Sequence, residues 1–217
     1  MKPITFSIST VVLCSMAVSL TLFAETRMVG EFSAAKLDGW QEKVFDGNTT
    51  YQPSESTITP SLKAISNNSA SGLFREIKID LEKTPYLNWS WKIDNVLNNQ
   101  QEQSKQGDDY PARVYIVFSG GLFFWQTRAL NYVWSSHQPV NTHWPNAYTG
   151  NAQMIAVEGG DEHVGEWRHE KRNVMEDYKK VFGKLPKEAD AIAIMTDTDN
   201  TGQRAVSYYG DLYLTDK

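Results

Sequence analysis

The stretch "YLNWSWKID", Tyr86 to Asp94, alternates Leu87, Trp89, Trp91 and Ile93 with Asn88, Ser90 and Lys92. Side chains on a strand point alternately to opposite faces, so this spacing puts two indoles and two aliphatic groups on one side and polar groups on the other. A half-buried strand satisfies that pattern and a helix does not. "RVYIVF" repeats it, with Val114, Ile116 and Phe118 opposite Arg113, Tyr115 and Val117. "QMIAVE", "DAIAIMTD" and "AVSYYGDLYL" are further short runs bounded by Gly, Asn and Asp. Many short strands separated by turn residues predict two antiparallel sheets packed face to face, a mainly β sandwich of jelly-roll type.

One segment changes period. In "EWRHEKRNVMEDYKKVFG", Trp167, Val174, Tyr178 and Val181 recur at helical offsets with charges between them, and Gly183 is placed to end the turn. The spacing predicts one amphipathic helix that covers a sheet edge or one end of the sandwich. "NNQQEQSKQGDD", Asn98 to Asp109, is the most polar stretch and reads as an exposed loop inserted between strands.

The first 24 residues, with Lys2 the sole charge and an apolar run containing Ser and Thr, read as a signal peptide. Ala24 is the favoured cleavage point; Ala17 has the better small-residue spacing but a shorter apolar core. Either cut removes Cys14, the only cysteine, so the exported chain has no disulfide and depends on an ordinary core. Residues 25–217 are the expected sandwich domain, with no membrane span, in the periplasm or outside the cell. The formal charge of -5 becomes about -6 without Lys2, which argues against nucleic acid and other polyanions as partners.

Chemistry is harder to place. No Gly-x-Ser-x-Gly elbow, Walker loop or Gly-x-Gly-x-x-Gly turn occurs, so serine hydrolases and nucleotide enzymes lose their usual support. The four histidines lie at spacings that suit no zincin motif. "DTDNTG", Asp197 to Gly202, offers hard oxygen ligands, and Asp197, Asp199 and Asn200 form a candidate calcium site. The match to an EF-hand loop fails at its twelfth position, where Tyr208 replaces Glu. The same residues equally well make Asx turns.

Seven Trp and ten Tyr are many for this length, and the region from Trp125 to Tyr148 gathers several of them around Arg128 and Asn131. Sugar rings present apolar C–H faces beside hydroxyls, which suits a ring platform flanked by polar side chains. Trp134 is the candidate platform, with Asp108, Asp109, Arg113, Arg128 and Asn131 as polar contacts. Strand parity sets Arg128 and Trp134 on one face and Asn131 on the other, so one groove can hold all three only if a bulge intervenes. In "GDDYPARVYIVFSGG", Pro111 stiffens the entry to the strand, and Arg113 has an acid such as Asp109, Asp197 or Asp199 as a two-pronged partner.

The blocks "GDDYPARVYIVFSGG", "RALNYVWSS", "WPNAYTGNAQMIAV", "RNVMEDYKKVFG", "AIAIMTDTDNTG" and "YYGDLYL", in this order, resemble the bacterial secreted family catalogued as domain of unknown function 3047. The resemblance spans about Gly39 to Leu214 and implies no catalytic residue. The "WSW" strand and the "YYGDLYL" ending also resemble the jelly-roll modules of galactose-binding-like proteins, which bind carbohydrate. The expected function is non-catalytic binding of a saccharide or cell-envelope glycan. A glycan hydrolase or lyase using paired carboxylates, and a structural or assembly protein of the envelope, are the alternatives.

Overall fold

The computed structural model describes residues 25–120 and 126–217. The segment read as a signal peptide, and Trp125, lie outside them. The chain runs through β1 (Thr26–Gly30), β2 (Trp40–Asp46), β3 (Thr50–Pro53), β4 (Leu62–Asn67), β5 (Ala70–Asp80), β6 (Tyr86–Ile93) and β7 (Arg113–Phe118). It continues through β8 (Arg128–Ser135), β9 (His143–Pro145), β10 (Ala152–Gly159), β11 (Arg168–Asn173), α1 (Val174–Phe182), β12 (Glu188–Asp197), β13 (Arg204–Tyr209) and β14 (Leu212–Thr215).

Two sheets form a sandwich. One has the order β1-β14-β6-β13-β4-β3, with β11 pairing β6; the other has the order β2-β5-β12-β7-β8-β10-β9. The pairings are antiparallel except that of β8 with β10, which is parallel. That exception follows from the connection: the chain leaves β8, turns back through β9 and re-enters as β10, so β9 is the antiparallel neighbour.

The period-two pattern sets the layers. Leu87, Trp89, Trp91 and Ile93 of β6 are buried between the sheets, facing Val114, Ile116 and Phe118 of β7 and Leu130, Tyr132 and Trp134 of β8 within one apolar cluster. The aromatic rings in it make specific contacts: Trp89 stacks on Tyr132 at 5.3 Å, and Trp91 meets Trp134 at 6.0 Å. Burial of such rings is the largest apolar contribution available to a chain with no disulfide. Residues of opposite parity on β7, β8 and β12 face away from the core, and there the functional candidates lie.

The expected helix is shorter than its sequence pattern. Arg168 to Asn173 pair with β6 as a strand, and helix begins only at Val174, where the Asn173 side chain accepts the Glu176 N–H at 3.1 Å. The free edge of β6 competes successfully for a segment whose charges carry no helical stripe. Gly183 ends the helix at φ 76°, as its position suggested. Tyr178 packs on Phe118 with ring centroids 4.4 Å apart, and Asp177 accepts the Tyr132 hydroxyl at 3.0 Å, so α1 closes one end of the core.

The polar loop from Asn98 to Asp109 is exposed at Asn98, Gln100, Gln101, Gln103, Lys105 and Gln106, but not throughout. Asn99, Glu102, Asp108 and Asp109 are buried. Both Glu102 carboxylate oxygens accept the Ser135 hydroxyl, at 2.8 and 2.9 Å, while the backbone N–H groups of Ser136 and His137 donate to it at 2.9 and 3.1 Å. Its polar residues satisfy the loop's own backbone and the end of β8, which is why a hydrophilic segment can be interior.

At the opposite end of β6, Glu170 accepts a hydrogen bond from Trp91 Nε1 at 3.3 Å. Burial, and after it the charge of Glu158, push its carboxyl up to about 7. The folded state therefore holds this proton more firmly than the unfolded chain does, and the stability it contributes is lost as pH rises from about 4.5 towards 7. Glu170→Gln keeps the acceptor for Trp91 without the charge. Its Tm relative to the parent is predicted to be more favourable at pH 8 than at pH 5, checked by thermal denaturation at both; a pH-independent difference would contradict the assignment.

Candidate functional site

Arg113 opens β7 on the face away from the core, and its neighbour across the ladder is Met195, two residues before the end of β12. That register brings Asp197 to the guanidinium. Nε donates to Asp197 Oδ1 at 2.8 Å and Nη2 donates to Oδ2, making the two-pronged pair. Nη2 also donates to the Asp108 carbonyl, and Nη1 donates to the Tyr115 hydroxyl at 3.2 Å. The Tyr110 ring lies under the guanidinium at 4.4 Å, and the Tyr110 N–H donates to Asp197 Oδ1 at 3.2 Å. Arg113 and Asp197 are 2% and 3% exposed, so this is an interior ion pair. Burial opposes the Arg113 charge, but Asp197, then Tyr115 and Asp108, more than restore it and keep the group protonated.

The two acids before Pro111 have different jobs. Asp109 is fully buried and accepts the backbone N–H groups of Asn200 and Thr201, at 3.2 and 2.6 Å, which ties the entry of β7 to the turn after β12. Asp108 turns toward a cavity. Its Oδ2 accepts from Asn146 Nδ2 at 3.0 Å, while Oδ1 has no hydrogen-bond partner and lies 3.8 Å from Arg113 Nη1. Burial raises the Asp108 carboxyl, with Arg113 pulling the other way.

The cavity has a volume of about 490 Å³, and its lining includes Asp108, Arg113, Tyr115, Asn131, Asn146, Met195, Asp197, Asp199 and Asn200. Asn131 sits opposite Tyr115 across the β7–β8 ladder. It is 1% exposed, its Nδ2 faces Met154 Sδ at 3.2 Å, and its Oδ1 has no partner. Burial pushes the Tyr115 phenol up to about 12, so it stays a neutral hydroxyl. Phe45, Asp46, Ala70, Tyr148 and Ala152 complete the lining, and the Phe45 and Tyr148 rings remain more than half exposed.

Six of the candidate residues, Asp108, Arg113, Asn131, Asp197, Asp199 and Asn200, therefore line one cavity. Asp109 braces it from behind. Two candidates do not belong. Trp134 is fully buried against Trp91, with Nε1 donating to the Gly160 carbonyl, and cannot stack on a ligand. Arg128 lies on the core-side parity of β8, above the Phe182 ring at 4.7 Å and donating to the Tyr178 hydroxyl at 3.4 Å. No bulge interrupts the β7–β8 register, so parity keeps Arg128 and Trp134 away from Asn131. Sequence reasoning passed over Tyr115, Asn146 and Met195. Tyr115 was within reach, because it shares a face with Arg113; Asn146 needed the fold.

Among the described residues, the group of three acids able to surround an ion is Asp109, Asp197 and Asp199, whose nearest oxygens lie within 4.8 Å of one another. Asn200 is not in it; its Nδ2 donates to Asp199 Oδ2 at 3.0 Å, an Asx-type contact. Burial, and next the Asp109 charge, push the Asp199 carboxyl up to about 6.

Removing one partner of a buried ion pair strands the other. Asp197→Ala is predicted to cost about 3–5 kcal/mol, with the double variant Arg113→Met/Asp197→Leu recovering most of the loss. Urea unfolding of both checks this, and equal losses would contradict it.

No curated protein matches the sequence. The structure is similar to the family 11 carbohydrate-binding module of the cellulosomal cellulase Lic26A-Cel5E of Clostridium thermocellum, with TM-score 0.48, 10% identity, and coverage of 88% of this chain and 95% of that one. It is also similar to a thermostable cellulase derived from the Cel12A cellulase of Rhodothermus marinus, with TM-score 0.49, 11% identity, and coverage of 88% and 96%. A family model described as "Protein of unknown function (DUF3047)" matches residues 38–213, and the chain belongs to that family.

Proposed function

We propose that this is an exported, non-catalytic binding protein whose outer-face cavity takes a saccharide of the cell envelope. The observation that carries the reading is the pair of buried acceptors, Asp108 Oδ1 and Asn131 Oδ1, that have no hydrogen bond and belong to residues lining one cavity. A buried acceptor without a donor costs about 1–3 kcal/mol; both oxygens are closed to solvent, so a ligand hydroxyl recovers that cost as the side chains turn to meet it. The rings of Tyr115, Tyr148 and Phe45 supply apolar surface for the C–H face of a sugar. The first 24 residues support export.

A carboxyl such as Asp199, held near 6, resembles the acid of a hydrolase. Its neighbour Asp109 is fully buried with its oxygens on two backbone N–H groups, so it has no reach toward a substrate. That takes Asp109 out of a catalytic pair with Asp199, and the acceptors without hydrogen bonds carry the binding reading. Among the described residues no helix is long and apolar enough to cross a membrane.

The test is a thermal-shift screen of the folded protein against envelope oligosaccharides. A ligand at one hundred times its Kd adds about 2.7 kcal/mol, a Tm rise of roughly 5–10 °C for a chain of this size. Asn131→Leu is predicted to leave the unliganded protein at least as stable, since it removes an unpaired acceptor, and to abolish the ligand shift. Arg128→Ala keeps the shift. A shift that survives Asn131→Leu, or none with any glycan, would refute the cavity as a saccharide site.

A further inference from the structure

Three carboxyl groups that line this cavity, those of Asp108, Asp197 and Asp199, and that of Asp109 behind them crowd one corner, and Arg113 is the one cation that pairs with any of them among the described residues. Arg113 is already committed to Asp197 through two nitrogens. The lysines at the rim lie over rings, Lys43 at 5.3 Å from the Phe45 centroid and Lys105 at 5.3 Å from that of Tyr148. The corner is thus short of positive charge, and beside it lie two acceptor oxygens with no hydrogen bond, Asp108 Oδ1 and Asn131 Oδ1, on residues more than nine-tenths buried; Asp108 Oδ1 stands 3.8 Å from Arg113 Nη1.

Resting on the saccharide reading, we propose that the bound sugar carries a free amine, a hexosamine unit whose ammonium enters this corner against Asp108, Asp199 and Asn131. An ammonium brings three donors and one charge on a compact head, which matches two unpaired acceptors and an acid better than a hydroxyl can. A divalent metal fits less well. Calcium takes six to eight oxygens, whereas both Asp197 oxygens are already committed to the Arg113 guanidinium, which leaves too few carboxylate ligands for it.

Isothermal titration with three β-1,4-linked trisaccharides separates the possibilities, because glucosamine, N-acetylglucosamine and glucose trimers differ only at the second carbon. The amine form is expected to bind about tenfold or more tighter than either neutral one, the strength of a charge-assisted contact. Asp199→Asn and Asp108→Asn remove that preference, while Asp94→Asn, on the other sheet, preserves it; circular dichroism confirms that each variant is folded. Equal or tighter binding of a neutral trimer overturns the amine and leaves the saccharide reading standing. No binding by any of the three overturns the amine, and the wider glycan screen then decides the saccharide reading by itself. A preference that Asp94→Asn also reduces marks general attraction of a polycation to an acidic protein, which overturns the proposal. So does a Tm rise with millimolar calcium chloride that Asp199→Asn abolishes, since it gives the corner to a metal.

Discussion

Taking a guanidinium and a carboxylate out of water costs several kcal/mol for each ion, and among the described residues this goes furthest where Arg113 meets Asp197. The cost is met by geometry. Asp197 receives three N–H donors, from two Arg113 nitrogens and the Tyr110 backbone, and the guanidinium has further acceptors in the Asp108 carbonyl and the Tyr115 hydroxyl. The pair fixes the start of β7 to the end of β12 and holds the Asp108 backbone above both. Asp109 then anchors the turn after β12 through two backbone amides. The cavity is consequently built on rigid elements, as a preorganised binding site requires.

The same alternation that makes the core makes the site. On β7, Val114, Ile116 and Phe118 enter the apolar cluster while Arg113 and Tyr115 line the cavity. On β8, Leu130, Tyr132 and Trp134 face in and Asn131 faces out. A one-residue slip would exchange the two sets and bury Arg113 among indoles, so the apolar core enforces the register of the polar face. The apolar layer thus contributes to function indirectly, by leaving the outer face no alternative.

How much of this could be read beforehand varied with how local its cause was. The inward faces of β6, β7 and β8 follow from a period of two and were legible, as was the need of Arg113 for an acid. Which acid it takes depends on the register of β12, which only the assembled sheet fixes. Trp134 and Arg128 attracted attention by residue type, although parity already separated them from Asn131. Parity was the better guide. Two departures are tertiary in origin. Arg168 to Asn173 became a strand because β6 offered a free edge, and Glu102 turned inward from a half-exposed loop because its carboxylate meets the N–H groups after β8. Hydrophilic composition reports what a segment can exchange with water, not whether the fold provides equivalent partners.

The Arg113–Asp197 pair frames the proposed ligand cavity on the outer face of the second sheet. Amide chemical-shift mapping in a ¹⁵N-labelled sample during saccharide titration tests it most directly. Saturable shifts are expected at Asp108, Arg113 to Tyr115, Asn131, Asn146 and Asp197 to Asn200, with the backbone around Arg128 and Tyr178 unmoved. Shifts centred on that other end of the sheet, or spread evenly over the surface, would contradict it.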